Sequence, residues 1–423
     1  METRAEQWGK LIKFKRQQKR LKQDDVAIGI CTPSYLSRIE NGVVIAEHAL
    51  YEQLFKRLGI NLAETMQNEE QALQRVEMLY EKLLTNEALV HKEIEQLENY
   101  EKTFQLLEHQ LFAKLVYSRY LLSINKDQTA RTLLNEIEPF ITYKGDRLTT
   151  LYIAITAFAH LSFLEFQQLA DREDTLFYAQ LMLRASNFEQ ANYHYHLAFA
   201  YHRTYQFQKA LRHIEIASTH MSHMFKPLFQ LKLYSMKGVI FNDLNRFHDA
   251  LREYEAGLNL LENVTAIQTP MQFSSIHNNI AYCYECQKDF DQACKHYQLA
   301  QYYEHDLHSV INWMRSSFQK QDFKQLDQLF NKYGAAQFSV PHHKYQRALL
   351  AYAREEQQTI SDLKQLEELA FPHFEQQQYF ALTLFYAPLW AQFYEKLHAY
   401  KHASHCYQLA LQASEKIRER MSS

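Results

Sequence analysis

A period of about forty residues constrains this chain more than any other feature it carries. The stretches LAFAYHRTYQFQKALRHIEIA, KGVIFNDLNRFHDALREYEAG, IAYCYECQKDFDQACKHYQLA and WAQFYEKLHAYKHASHCYQLA align without gaps. Each has a small residue, an aromatic three on, an aromatic nine on, alanine twelve on, a large apolar residue sixteen on and a small one nineteen on. In the first copy these are Ala198, Tyr201, Phe207, Ala210, Ile214 and Ala217; the others begin at Gly238, Ala281 and Ala391. Small residues at fixed offsets let two antiparallel helices approach closely while aromatics fill the gap, the logic of a stacked helical hairpin. Weaker copies run from Ser118 to Ile137 and from Met314 to Phe330. With only 8 Gly and 7 Pro in 423 residues, and no strand-like alternation bounded by turns, the chain reads as all-α. Pro139, Pro227, Pro270, Pro341 and Pro372 are expected between hairpins, where helices must end.

These hairpins have the character of tetratricopeptide repeats, spaced by 40 and then 43 residues from Ala198 to Ala281, which implies longer helices or turns. Stacked hairpins form a superhelix with a concave inner face. The stripe one step round each first helix should line it: Ser235, Val239 and Asn242 in one copy, Asn278, Tyr282 and Glu285 in the next. An asparagine amide offers donors and an acceptor, so it can satisfy the N–H and C=O of an extended peptide whatever its sequence. Asn279 is adjacent, Asn312 occupies a similar place in a weaker repeat, and Arg119 falls on the corresponding face of the first weak repeat, where it could meet a carboxylate. The competing reading is that these are ordinary solvated polar residues; clustering on one face favours the peptide.

The first 62 residues differ from the rest. Four of the 8 glycines (Gly9, Gly29, Gly42 and Gly59) lie there, and the segment carries a net +4 against −7 for the remainder. Seven cations and no acid lie between Lys10 and Lys22. A basic head on an acidic body is expected of a nucleic-acid contact confined to one end. We divide the chain into a head (1–62), linker helices (63–110) and a repeat domain (111–423).

Within the head, AEQWGKLIKFKRQQ places Trp8, Leu11, Ile12 and Phe14 among cations as a first amphipathic helix, and KQDDVAIGI makes a second, brief one. Thr32 can cap a third helix and Pro33 suits its first position, while Asn41 and Gly42 stop it. Leu36 and Ile39 anchor that helix; Pro33, Ser34, Ser37 and Arg38 project elsewhere. A helix held on its apolar side and presenting its first turn suits the major groove, where arginine pairs bidentately with guanine and serine contacts several base edges.

The run KFKRQQKRLKQDDVAIGICTPSYLSRIENG resembles the helix-turn-helix domain of the phage-repressor or XRE type, over roughly residues 8 to 60. That family's helix-two glutamine falls on Gln23, and its IExG ending on Ile39, Glu40 and Gly42. The resemblance implies that Gln23 and Thr32 touch phosphates, and that Pro33, Ser34 and Arg38 face base edges, with Tyr35 and Ser37 completing the interface. One head reads only a few base pairs, so a homodimer or higher homo-oligomer is expected.

A head of this type before long tetratricopeptide hairpins resembles the peptide-pheromone regulators grouped as Rap, Rgg, NprR, PlcR and PrgX, most of all the NprR type. The resemblance covers essentially the whole chain, and the order of the parts carries more of it than any single residue. It implies a quorum-sensing transcription regulator whose concave face binds a short signalling oligopeptide. It also implies that a sporulation-phosphorelay response regulator is bound in the absence of peptide. The alternatives are a Rap-like interaction protein acting on a response regulator, and a phage-type repressor whose repeats only oligomerise.

Cys283 and Cys286 form a C-x-x-C, and His398, His402 and His405 lie near one helical face beside Cys406, but no second pair completes a zinc site. No metal, cofactor or enzymatic activity is expected, since no phosphate loop, nucleophile elbow or H-E-x-x-H occurs. Five cysteines without framework spacing, and no apolar run of spanning length, suit the cytoplasm with no membrane partner.

Overall fold

The computed structural model describes residues 4–104, 106–141, 143, 146–173, 178, 180, 182–354 and 359–422. Among the described residues the regular structure is entirely helical. They divide into two compact units, 1–196 and 197–423, with the division inside the helix Asn187–Arg203.

In the first unit, the helices Arg4–Gln18, Gln23–Ala27, Pro33–Glu40 and His48–Arg57 share one core. Trp8, Leu11, Ile12, Val26, Leu36, Ile39, Tyr51, Leu54 and Phe55 are all buried in it. Glycine is needed at position 9: a Cβ there would fall 2.1 Å from the Ile39 carbonyl oxygen, so the first and third helices touch backbone to backbone. Phe14 departs from the amphipathic reading, for its ring is 57% exposed, on the side of the first helix away from that core. The helix Leu62–Leu84 follows, then His91–Thr103, and then the hairpins Leu107–Ser123/Asp127–Ile137 and Arg147–Ser162/Phe166–Glu173.

The repeat pattern becomes hairpins in register. The aromatic nine residues into each copy is the first residue of the second helix: Phe207, Phe247, Phe290 and Tyr400 open the helices Phe207–Met221, Phe247–Asn263, Phe290–Tyr303 and Tyr400–Ser422. Their partners are Asn187–Arg203, Pro227–Asp243, Pro270–Cys286 and Phe380–Lys396. The weaker copies are also hairpins, and Leu307–Gln319/Phe323–Lys332 and Pro341–Tyr352/Ile360–Gln376 complete the second unit. Small residues act as the spacing implies, since a Cβ on Gly238 would lie 2.3 Å from the Tyr254 ring. The prolines divide into two groups. Pro227, Pro270 and Pro341 stand at first helical positions, where a missing N–H costs nothing. Pro372, expected in a break, lies inside the helix Ile360–Gln376, as Pro388 does inside Phe380–Lys396.

Candidate functional site

The helix Pro33–Glu40 is short because both ends are fixed. The Thr32 hydroxyl accepts from the Tyr35 N–H at 3.2 Å, Pro33 follows at the first position, and Gly42 takes the left-handed conformation (φ 70°) just beyond the end. Leu36 and Ile39 are fully buried, which anchors the helix by roughly 1.5–3 kcal/mol each. Pro33, Ser34 and Arg38 are exposed, and Tyr35 and Ser37 half-buried.

A charged network holds this helix to the first two. Arg16 donates to both oxygens of Glu40, at 2.6 and 2.8 Å, and to the Leu21 carbonyl at 3.0 Å. Gln23 donates to Glu40 at 2.8 Å, so its amide, expected at a phosphate, is engaged within the head. Lys13 donates to the Asn41 side chain at 2.7 Å and Lys19 to the Leu58 carbonyl. Lys10, Arg20 and Lys22 are exposed around it. The arrangement is a rigid, capped helix end displayed with surrounding positive charge, suited to phosphates on its rim and base edges on its first turns.

In the second unit, the first helices of successive hairpins form a polar wall. Asn242, Asn278 and Asn312, expected on an open stripe, are only 3%, 9% and 6% exposed. Close helix packing is the reason, and it lets the amides meet each other: Asn312 donates to the Asn278 carbonyl oxygen at 3.2 Å. Asn242 donates weakly to the Cys286 sulfur at 3.4 Å, while its own amide oxygen is buried with no partner among the described residues. Asn279 is half-buried, and the Tyr282 ring is 37% exposed beneath the Arg315 guanidinium, 5.7 Å away.

At the centre of the wall, Glu285 was read from the sequence and its partner Arg315 was missed. Arg315 donates to Glu285 at 2.7 and 3.1 Å and reaches Gln346 at 3.4 Å; Gln319 and the Tyr297 hydroxyl complete the carboxylate at 2.7 and 2.8 Å. This pair joins three hairpins, and its opposite charges are almost wholly withdrawn from water. The usable signal was an arginine three residues after Asn312 in a repeat whose register was loose. Beside it, His308 and His343 meet at 3.1 Å, and burial first, then the neighbouring His308, pushes His343 down to about 4.

Arg119 is placed in the first unit, and not on an open face. It is 5% exposed, lies 3.6 Å over the Phe158 ring and donates to the Leu83 carbonyl, while a second guanidinium nitrogen is buried without a partner among the described residues. Burial lowers its pKa to about 10. A buried cation with an unused donor suits an anionic group. Among the described residues no group of three or more His, Cys, Asp or Glu side chains could hold a metal ion, and no helix is long and apolar enough to cross a membrane.

No known protein-family profile matches the chain. It is 21% identical over 419 residues to the transcriptional activator NprA of Geobacillus stearothermophilus, covering 92% of this chain and 98% of that one. Among solved structures it resembles a Rap protein complexed with competence and sporulation factor, at a TM-score of 0.65 and 14% identity over 83% of this chain and 99% of that chain. The apo form of the quorum sensor NprR from B. thuringiensis matches at a TM-score of 0.64 and 16% identity, over 82% and 99%. NprR in complex with its cognate peptide NprX matches at 0.57 and 16% identity, over 81% and 99%. The resemblance to the peptide-pheromone regulators, most of all the NprR type, is borne out, and these structures give the fold.

Proposed function

We propose that this chain, which shares the fold of the Rap and NprR proteins, is a cytoplasmic transcription regulator that binds duplex DNA through a helix-turn-helix head and is controlled by a short peptide in its hairpin repeats. The carrying observation is the helix Pro33–Glu40, anchored by Leu36 and Ile39 while Pro33, Ser34 and Arg38 stand in solvent. Gln23 and Glu40 stiffen it from behind, and the exposed cations supply a sequence-independent, salt-dependent attraction. The head (1–62), linker (63–110) and repeats (111–423) divide the labour. Two heads in a homo-oligomer give the specificity one lacks, and the chain acts as a regulator, not an enzyme.

The wall supports the peptide reading. Asn242, Asn278, Asn279, Tyr282 and Asn312 lie on neighbouring first helices, with an acceptor on Asn242 that is unsatisfied among the described residues. Arg119 supplies an anion-seeking donor in the first unit. Guest and duplex are linked only if the peptide binds the DNA-competent state with a different affinity.

Gel-shift and mass measurement of the full-length protein, with and without short peptides encoded immediately downstream of its gene, test both halves. A shift or subunit number that responds to one peptide supports the reading; no DNA binding under any condition refutes it. The resemblance to the NprR type implies a second role, capture of a response regulator without peptide. Capture that survives Arg38→Ala and is released by peptide would support it.

A further inference from the structure

One contact in the second unit joins residues 173 apart in sequence: the Tyr205 hydroxyl donates to the Gln378 carbonyl at 2.9 Å. The Tyr205 ring also lies 5.4 Å from Phe380, and Arg203 lies 5.2 Å over Tyr379. Residue 205 is in the turn between Asn187–Arg203 and Phe207–Met221, and residue 378 in the turn before Phe380–Lys396. The helices between them pack in sequence, so this contact closes the run of hairpins into a circuit.

Both sides of the contact are built for it. Tyr205 is left-handed (φ 63°), where comparable turns carry Asn125, Asn245, Lys288, Gln321 and His398, and in one case Leu164. A bulky aromatic is an outlier in that conformation, so the turn gives up a local preference and gains the distant contact. Across from it, the Gln378 side chain accepts from Arg420 at 2.7 Å, Phe380 lies beneath Lys416 and Arg420, and the Tyr379 ring is 4.9 Å from His342. The receiving turn is therefore braced from the last helix and from within.

The Asn242 amide oxygen, the Tyr386 hydroxyl and the Thr383 hydroxyl are buried, at 3% exposure or less, without a hydrogen bond among the described residues. Buried polar atoms without partners are costly, and an extended peptide carries the complementary N–H and C=O groups. A circuit held closed also keeps its first helices at one spacing, so a peptide that pairs with them gives up less in ordering the protein than it would on a sprung form.

We propose that Tyr205 is a positioning residue for guest binding: its contact with Gln378 and Phe380 closes the hairpin circuit, and the closed circuit is the form that takes an extended peptide. The proposal rests on the peptide reading above. Guest and clasp then stabilise each other, because each favours the same state.

The test uses the full-length protein and two variants. Tyr205→Asn keeps a left-handed turn, as Asn245 does, and removes both ring and hydroxyl; Tyr205→Phe keeps the ring contact alone. Backbone hydrogen exchange of segment 377–380, without any peptide, should quicken in Tyr205→Asn and less in Tyr205→Phe. A synthetic random octapeptide pool is then selected on the wild type and the enriched sequence titrated against all three proteins. Its affinity should fall about tenfold in Tyr205→Asn and about threefold in Tyr205→Phe, at unchanged helicity. Unchanged exchange overturns the clasp. Faster exchange with unchanged affinity overturns the coupling and leaves the peptide reading standing. No enriched sequence on the wild type overturns the peptide reading and the coupling with it, while the exchange result still decides whether the clasp exists.

Discussion

The head and the polar wall treat the side chains proposed for function in opposite ways. In the head, Ser34 and Arg38 stand in solvent on a helix whose supports are buried. In the wall, Asn278, Asn312, Glu285 and Arg315 are withdrawn from water and bonded to one another. A duplex is a stiff partner met from outside, so its contacts can be displayed in advance. On the proposed reading, an extended peptide is flexible and has to be enclosed, so the side chains offered to it would wait inside, holding each other.

The largest expected effect strikes what the two regions share, a buried ion pair. Arg16→Ala strands the Glu40 carboxylate, whose side chain has no exposure, and should cost the head about 3–5 kcal/mol. Rapid proteolysis of residues 1–62 together with loss of DNA binding would show it; a head still resistant to protease would mean that the network is dispensable. Next is Arg38→Ala, which should remove about 1–3 kcal/mol of discrimination between specific and random duplex, while Lys10→Ala weakens both alike. Competition gel shifts at fixed salt separate the two, and equal loss on both duplexes for Arg38→Ala would remove its assignment to a base edge.

The wall responds differently. Asn242→Ala deletes a buried acceptor that has no partner among the described residues, so the unfolding midpoint should hold or rise while peptide affinity drops by about 1 kcal/mol. Calorimetry with an unchanged peptide affinity would separate Asn242 from the guest. The smallest effect is one of pH. His343 is held neutral, at about 4 against an ordinary value of 6.5, chiefly by burial. Its unfolded form binds the proton first, so the associated stability is present above pH 6.5 and is lost as pH falls towards 4. His343→Gln should flatten the decline of the melting temperature across that window, and an unaltered slope would assign the decline to other groups.

The sequence made the hairpins legible because their information is local. Ala210 and Tyr201 sit within one repeat, and the aromatic at the ninth step marks the start of a helix wherever it recurs. The head was legible for the same reason: Thr32, Pro33 and Gly42 are caps that act on their nearest neighbours. What escaped depends on register between hairpins. Glu285 was placed on the right stripe, but its partner, thirty residues on, lies in a degenerate copy. Burial of the asparagines escaped too, because polarity marks a face without saying how closely the next helix covers it. Pro372 shows the limit of punctuation, since a proline can be carried within a helix when packing on both sides holds it.

The near-contact of Gly238 with the Tyr254 ring has a mechanical consequence. The ring is a spacer of fixed thickness, and the bare backbone opposite sets how closely the two helices of that hairpin lie. Every hairpin beyond is stacked on that pair, so a single methyl here, which has to force the ring or its helix aside, would act as a wedge whose shift is handed on along the second unit.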